Sequence, residues 1–234
     1  MKKWLEKDSS SVEHFSGVCA SGVPCLYKQL IEDLTQEVES LKEQAQTDAL
    51  TGLYNYRFFA DALPREMERV QRSLQPMSMI IVDVDFFKKL NDQWRHEVGN
   101  QALVHIAKLI YQTIRKLDFA CRFGGEEFVV ILPNTDLPQS IYVANRIREA
   151  IEMTAMPVAS QFINITASLG VDEYRANHSD TSEGFIERVD AWLYQAKHTG
   201  RNQVKHPDLH LESLIASNVT ADEKDALFNS FSDQ

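Results

Sequence analysis

Residues 119–132 read Phe-Ala-Cys-Arg-Phe-Gly-Gly-Glu-Glu-Phe-Val-Val-Ile-Leu, so that two short apolar runs flank a Gly-Gly-Glu-Glu segment. Short runs of β-branched and aromatic residues on either side of a glycine-containing segment are typical of a β-hairpin. The stretch therefore predicts strands at residues 119–123 and 128–132. Gly124 and Gly125 between them permit positive φ and would let the backbone approach a ligand closely, because glycine has no Cβ.

Helices and strands alternate along the chain around this hairpin. Unbroken or alternating apolar residues predict strands at residues 77–84 and 162–171. Apolar residues spaced three or four apart predict helices at residues 57–74, 100–117, 138–154 and 183–198. Such alternation predicts an α/β sandwich whose central sheet holds the hairpin between strands that reach it from either side.

The two ends of the chain differ from this pattern. Residues 1–23 have no sustained periodicity, and we expect a flexible segment or one that a partner orders. Residues 24–46 form an amphipathic helix by their spacing, with Tyr27, Leu30, Leu34, Val38, Leu41 and Ala45 in its apolar stripe. A parallel coiled coil and a helix packed on its own domain or on another protein both fit this stripe. Residues 207–234 predict a tail with two short helices.

Composition and charge limit the classes of protein. The 234 residues suffice for one domain with additions at its ends, and a net charge of −10 opposes nonspecific nucleic-acid binding but permits a local basic site. No apolar run approaches the roughly 20 residues of a membrane span, and no secretory signal begins the chain, which predicts a cytoplasmic protein. Cys19, Cys25 and Cys121 are odd in number and lack zinc-type spacing, so we expect reduced thiols.

Carboxylates are concentrated in two places, at Asp83 and Asp85 where a predicted strand ends and at Glu126 and Glu127 in the hairpin. Carboxylates at the end of a buried strand are costly unless they are solvated, paired or bound to a metal. Hard oxygen ligands suit Mg²⁺, which commonly lies between one or two carboxylates and nucleotide phosphates. A lone Gly-Gly-Glu-Glu is more often a turn with solvated glutamates, so the surrounding motifs decide between the two interpretations.

Several segments in order resemble the GGDEF family of diguanylate cyclases, over residues 48–204. Residues 124–128, preceded by Arg122, resemble the signature loop in its Glu-Glu variant. Residues 83–92 resemble the metal and phosphate segment, with His96 and Gly99 at the expected spacing. Residues 48–55, 168–170 and 190–202 resemble the entry motif, the penultimate strand, and the closing helix and turn. The resemblance implies a nucleotidyl-cyclase-like sheet flanked by helices at residues 47–206, after the amphipathic helix.

The same resemblance implies the site residues. Two Mg²⁺ ions, for which Mn²⁺ substitutes, would be held by Asp83, the backbone carbonyl of Val84, Glu126 and Glu127. The implied catalytic residues are Glu126, Glu127 and Lys88, and the proton acceptor is either glutamate. GTP contacts are implied for Phe86, Phe87, Lys88, Asn91, His96, Asn100, Gly124, Gly125, Lys197 and Arg201. Among these, Lys88, Lys197 and Arg201 would contact the β- and γ-phosphates and Asn91 the guanine.

Two positions depart from the family pattern. Asn100 stands where the family usually has an aspartate that accepts hydrogen bonds from guanine, so we expect weaker GTP affinity or looser base choice. Arg95 stands where the family usually has glycine before His96, which puts the local loop geometry in doubt. Neither departure removes an implied metal ligand.

The resemblance implies condensation of two GTP into cyclic di-GMP and two pyrophosphates. Because the product is two-fold symmetric, two domains must meet face to face, which implies a homodimer, with a regulatory protein expected on the N-terminal helix. Arg115 and Asp118 match an RxxD product-inhibition site, with Arg146 as an added contact; an exposed helix end is the alternative. Two other functions stay open: a cyclic di-GMP receptor without catalysis, and an enzyme that makes another cyclic or linear nucleotide.

Overall fold

The computed structural model describes residues 26–159 and 161–209. Its helices are α1 Leu26–Gln46, α2 Tyr56–Ser73, α3 Phe87–Thr113, α4 Leu137–Met153 and α5 Ser182–His198. Its strands are β1 Met77–Val84, β2 Phe119–Arg122, β3 Glu127–Pro133, β4 Met156–Val158, β5 Gln161–Ile163, β6 Ala167–Tyr174 and β7 Val204–Lys205. The expectations for residues 1–23 and for residues 210–234 of the tail lie outside the described residues.

The chain divides into two compact units, one with residues up to Ala45 and one that begins at Gln46. The first unit contains nearly all of α1, on which Leu30, Ile31 and Leu34 are exposed. Lys28 and Glu32 form an ion pair of 3.8 Å on the same helix. All strands belong to the second unit.

The central sheet has the order β2-β3-β1-β6-β7, with β1 antiparallel to both β3 and β6 and with β7 parallel to β6. The predicted position of the hairpin was wrong, because β2 lies at one edge of this sheet. The hairpin of β2 and β3 joins the rest of the sheet through the pairing of β3 with β1. Outside β2, Tyr54 makes backbone hydrogen bonds to Ala120 and Arg122 of 3.1 and 2.7 Å.

Helices cover both faces of the sheet, which confirms the predicted sandwich. Along β1, Ile80, Val82 and Val84 pack in one core cluster with α3 and α4, whereas Met79 and Ile81 pack in the other with α2 and α5. This alternation follows from the two-residue period of a strand. Because all eight residues of β1 are buried, its sequence before Asp83 is apolar except at Ser78.

Glycine allows one close contact between layers. A Cβ at Gly170 of β6 would collide with the backbone of Val189 and Leu193. The absence of a side chain at Gly170 therefore lets α5 pack directly on β6.

The structure corrects three predicted boundaries. α3 begins at Phe87 rather than at residue 100 and contains a non-helical residue, Arg95, with φ 70° and ψ 164°. The helix ends at Thr113, before the predicted end at residue 117. The strand predicted at residues 162–171 is two strands, because β5 pairs with β4 in a separate two-stranded sheet, whereas β6 pairs with β1.

Three of the described helices, α2, α4 and α5, begin at a side-chain cap. Asn55, Asp136 and Thr181 accept hydrogen bonds from backbone N–H groups of α2, α4 and α5, respectively. Such caps satisfy N–H groups that have no partner within the helix. Within residues 26–159 and 161–209, no helix combines the length and apolarity that a membrane crossing requires.

Candidate active site

The end of β1 and the hairpin tip meet as the sequence predicted. Asp83 lies opposite Glu127 in the antiparallel register of β1 and β3. The backbone N–H of Val84 donates a hydrogen bond of 3.3 Å to the carbonyl of Glu126. The register therefore places the carboxylates of Asp83, Glu126 and Glu127 at one corner of the sheet.

Lys197 of α5 supplies a positive charge to this corner. Its Nζ lies 2.8 Å from Oδ2 of Asp83, which is buried. Burial raises the pKa of Asp83, as does the charge of Asp85, against the opposing effects of Lys197 and Arg201. The pair holds the Asp83 carboxylate next to a cation.

The two hairpin glutamates, Glu126 and Glu127, add negative charge next to Asp83. Burial raises the pKa of both Glu126 and Glu127, the charge of Asp83 raises each further, and Lys197 opposes this. Asp190 of α5 also raises the pKa of Glu127. A cation placed among these carboxylates would relieve their mutual repulsion.

The carboxylate oxygens at this corner suit a hard divalent cation that also coordinates a phosphorylated ligand. Among the described residues, no group of three or more His, Cys, Asp or Glu side chains is arranged to hold a metal by itself. Mg²⁺ is usually bound through one or two carboxylates together with substrate phosphates and water. Carboxylate oxygens at Asp83 and Glu126 therefore suit a metal that completes its coordination with a nucleotide.

The two glycines of the hairpin differ in their surroundings. Neither Gly124 nor Gly125 is among the described residues with positive φ, so the hairpin does not use the left-handed conformation that glycine permits. A Cβ at Gly124 would lie 2.8 Å from Oε2 of Glu127, whereas a Cβ at Gly125 would have no atom within 4 Å. Gly124 thus leaves room for the Glu127 carboxylate, and Gly125 leaves an open approach to the backbone.

Arg122 links the hairpin to the entry motif, a role that sequence reasoning did not assign. Its Nη2 donates 2.8 Å to the carbonyl of Gly125, and its Nη1 lies 3.2 Å from Oδ1 of Asp48. Asp48 also accepts hydrogen bonds from the N–H and hydroxyl of Thr51. Burial opposes ionisation of Asp48, but these hydrogen bonds and the Arg122 charge outweigh it and lower its pKa. In the sequence, only the motif matches at Asp48 and Arg122 pointed to this link between the two segments.

The start of α3 forms an anion-binding geometry. Phe86 is left-handed, with φ 56° and ψ 27°, and its side chain makes no capping hydrogen bond. The first N–H groups of a helix lack intrahelical acceptors and attract anions. Lys89 and Arg201 place their cations 4.8 and 4.5 Å from the exposed Phe86 ring. Because Phe87 is buried in the core, only its backbone can face a ligand.

Asn91 and Gly99 lie together across the break in α3. A Cβ at Gly99 would collide with Oδ1 of Asn91, and this buried oxygen has no hydrogen-bond partner. An unsatisfied amide oxygen is suited to accept from a ligand N–H group. Lys88, His96 and Asn100 are exposed on α3, and in the described part of the chain their side chains have no hydrogen bond or ion pair.

Asp85 has surroundings unlike those of Asp83. It accepts hydrogen bonds from Ser168 Oγ, Thr166 Oγ1 and the N–H of Asn202, of 2.7, 2.8 and 3.1 Å. Its oxygens are therefore occupied by protein donors, and it ties β1 to the turn after α5. That turn carries Arg201, which brings the closing motif to the active site.

The predicted product site lies in a turn rather than in a helix end. The Asp118 carboxylate accepts 2.7 Å from the Arg115 N–H, and the Asp118 N–H donates 3.0 Å to the Arg115 carbonyl. Burial raises the pKa of Asp118 against the opposing effects of this hydrogen bond and of the Arg115 charge. Arg146 of α4 donates 2.9 Å to the carbonyl of Thr113. The three predicted residues therefore flank the C-terminus of α3.

Cys121 is free and buried in β2, and burial raises its pKa to about 12. Its thiol therefore stays protonated and unreactive at neutral pH. Cys19 and Cys25 lie outside the described residues.

An α/β sandwich that places an acidic corner beside an uncapped helix N-terminus is suited to binding a nucleotide polyphosphate with a metal. The family model for the diguanylate cyclase GGDEF domain matches residues 45–203. The chain belongs to the GGDEF family.

Individual relatives agree with this assignment. The response regulator PleD of Caulobacter vibrioides is 38% identical over 179 residues, which cover 76% of this chain and 39% of PleD. Diguanylate cyclase DosC of Escherichia coli K12 is 34% identical over 176 residues, which cover 75% of this chain and 38% of DosC. The chain thus spans about two fifths of the length of these curated relatives.

Among solved structures, diguanylate cyclase SiaD of Pseudomonas aeruginosa, in complex with its activator SiaC, matches with a TM-score of 0.69 and 38% identity. The match covers 77% of this chain and 68% of SiaD. The coiled coil and GGDEF domain of DgcB from Caulobacter crescentus, in complex with c-di-GMP, matches with a TM-score of 0.72 and 29% identity. That match covers 77% of this chain and 95% of the DgcB chain.

Proposed function

We propose that this protein is a diguanylate cyclase, which condenses two GTP molecules into cyclic di-GMP and releases two pyrophosphates. The observation that carries the proposal is the 2.8 Å ion pair between the buried Asp83 and the partly buried Lys197, beside Glu126 and Glu127. This corner combines carboxylates for a metal with a cation for phosphate. Family membership supports the choice of GTP as substrate.

The metal would be Mg²⁺, with two ions per site, and Mn²⁺ would substitute. Asp83, the Val84 carbonyl and Glu126 would hold the ions, with Glu127 beside them. When bound, the ions supply neutralisation of the triphosphate and polarisation of the attacking hydroxyl. Lys197 would then exchange its contact with Asp83 for a phosphate oxygen.

Side chains and backbone N–H groups of the protein would bind the phosphates and accept the proton. Lys88, Lys197, Arg201 and the N–H groups at the start of α3 would bind the β- and γ-phosphates. The 3′-hydroxyl oxygen of one GTP attacks the α-phosphorus of the other, and pyrophosphate leaves. Glu126 or Glu127 would take the hydroxyl proton.

Guanine recognition would involve Asn91, whose Oδ1 is buried without a partner, together with His96 and Asn100. Asn100 replaces a charged acceptor with a neutral amide, which weakens its contact to guanine by about 1 kcal/mol. Gly124 and Gly125 would let the hairpin backbone approach the phosphates. We therefore expect GTP binding with a modest loss of affinity.

Assembly and regulation follow from the symmetry of the product. Each domain would bind one GTP, so two copies of the chain must meet face to face as a homodimer. The exposed Leu30, Ile31 and Leu34 of α1 offer an apolar surface for a second copy or a regulatory protein. SiaD is a relative that was crystallised with an activator. We place the protein in the cytoplasm, with no nucleic-acid partner.

Feedback inhibition would use the surface around the C-terminus of α3. Arg115 and Asp118 lie in one turn, and Arg146 reaches Thr113 from α4. The guanidinium groups of Arg115 and Arg146 would bind the phosphates of cyclic di-GMP.

Incubation of the full chain with Mg²⁺ and GTP or ATP, separately and mixed, tests the proposed activity by chromatography and mass analysis of the products. We expect cyclic di-GMP from GTP, its loss in Glu126→Ala, and its retention in Glu187→Ala, an exposed glutamate on α5. Absence of any product at all protein concentrations would contradict the proposal.

A cyclic di-GMP receptor without catalysis is the second candidate. The observation that favours it is the combination of the predicted product site with Asn100 at the guanine position. Binding of cyclic di-GMP without turnover of GTP in the same preparation would support the receptor and exclude the enzyme.

A further inference from the structure

The turn that carries Arg201 is conformationally strained. Gly200, Arg201 and Asn202 all have positive φ, of 123°, 62° and 45°. Asparagine tolerates this region, whereas a long side chain such as arginine rarely adopts it. Such conformations persist only where the surrounding structure fixes them. Contacts outside the turn must therefore hold Arg201 in place.

Helix α4 supplies these contacts through Arg148 and Glu152. The Arg148 Nη1 donates to Glu152 Oε2 at 2.6 Å and to Asn202 Oδ1 at 3.2 Å. The Asn202 Nδ2 donates to Glu152 Oε1 at 2.7 Å, which closes a ring of three side chains. The Arg148 side chain is only 16% exposed. Both polar ends of the Asn202 amide are thus fixed by one helix.

The backbone of the turn is held from the other side by Asp85 and α5. The Asn202 N–H donates 3.1 Å to Asp85, and the Arg201 N–H donates 3.0 Å to the carbonyl of Ala196. With its backbone fixed in this way, Arg201 places its guanidinium 4.5 Å from the Phe86 ring at the start of α3. The α4 contacts therefore help to fix the position of Arg201, which is predicted to bind phosphate.

We propose that Arg148 and Glu152 are positioning residues, which act through Asn202 to hold Arg201 where the β- and γ-phosphates of GTP bind. Neither residue belongs to the proposed set of GTP contacts. The inference rests on the proposed function, because it needs Arg201 to contact the triphosphate. It adds α4 to the elements that build the active site.

A double-mutant cycle with 3′-deoxy-GTP, which cannot be cyclised, tests this positioning role. We expect Arg148→Ala to weaken binding of 3′-deoxy-GTP by roughly 5- to 30-fold, in the range of couplings within side-chain networks. Arg148→Ala combined with Arg201→Ala should bind no more weakly than Arg201→Ala alone. In the double variant Arg148→Ala with Asn91→Ala, the fold losses of affinity of the two single variants should multiply, because the guanine contact of Asn91 is independent of the turn.

Two further measurements separate positioning from a general loss of structure. Affinity for GMP, which lacks the β- and γ-phosphates, should stay unchanged in Arg148→Ala and in the more exposed Glu152→Ala. Glu149→Ala is the matched control, since Glu149 pairs with Arg148 at 3.3 Å without contacting Asn202, and it should bind 3′-deoxy-GTP like the wild type.

Multiplicative effects of Arg148→Ala and Arg201→Ala, or equal loss of GMP and 3′-deoxy-GTP affinity, would overturn the inference. Failure of the wild-type chain to bind 3′-deoxy-GTP would instead overturn the proposed function on which the inference rests. The two failures are thus distinguished by the wild-type measurement.

Discussion

At the scale of single residues, Arg95 shows what a departure from the family pattern does to the backbone. It has φ 70° and ψ 164°, in a region that is almost exclusive to glycine, and it interrupts α3. The family usually has glycine at this position, so the structure explains the preference. The strain of a non-glycine residue there is about 1–3 kcal/mol.

We predict that Arg95→Gly raises the free energy of unfolding by about 1 kcal/mol, because relief of strain exceeds the added entropy of the unfolded glycine. Urea denaturation of the two chains measures the difference. Lys108→Gly, at an exposed helical position of α3, is the control and should lower the free energy of unfolding by about 1 kcal/mol. Equal destabilisation by both substitutions would contradict the strain at Arg95.

At the scale of elements, hydrophobic period predicted most of the sheet and its helices. β1 matches its predicted bounds because burial on both faces leaves a nearly continuous apolar run, interrupted before Asp83 only by Ser78. The first half of α3 was missed, since its Phe-Lys-Lys-Leu-Asn-Asp sequence has mixed polarity and Arg95 breaks its period. β4 and β7 were missed because strands of three and two residues are too short for a period. Pairing partners are set by tertiary contacts, which explains the misplaced hairpin and the split of β5 from β6.

The candidate site likewise contains residues that the sequence predicts and contacts that only the fold reveals. The carboxylates, Lys197 and Arg201 could be named from motifs, because chemistry restricts these residue types. The Arg122–Asp48 and Arg148–Asn202 contacts join residues far apart in sequence, at 3.2 Å in each case. No local pattern records such partners, so only the fold reveals them.

The turn after α3 makes a prediction about feedback inhibition. Because Asp118 binds the backbone N–H of Arg115 rather than its guanidinium, Arg115→Ala should leave the turn intact. Its affinity for cyclic di-GMP should fall by roughly 10- to 100-fold, since hydrogen bonds to charged groups are worth about 1.5–3 kcal/mol. Calorimetric titration measures this, with Lys116→Ala as the neighbouring control. Unchanged affinity in Arg115→Ala would show that the product binds elsewhere.

At the scale of the whole molecule, the proposed synthesis of a two-fold symmetric product would link activity to the association of two chains. A helix that pairs with its copy would raise the effective concentration of the two half-sites toward the millimolar range. The exposed Leu30, Ile31 and Leu34 of α1 supply the apolar surface that such pairing requires. The Lys28–Glu32 pair keeps neighbouring positions polar.

Deletion of residues 1–46 should therefore lower the specific activity at low protein concentration, and the loss should diminish as protein concentration rises. In the full chain, Leu30→Glu with Leu34→Glu should reproduce the loss, because buried charges oppose helix pairing, whereas Gln29→Glu on the same helix should not. Initial rates of cyclic di-GMP formation over a dilution series, with sedimentation analysis of the same samples, measure both effects. A rate that is undiminished by the deletion at every concentration would show that the catalytic domains meet without α1.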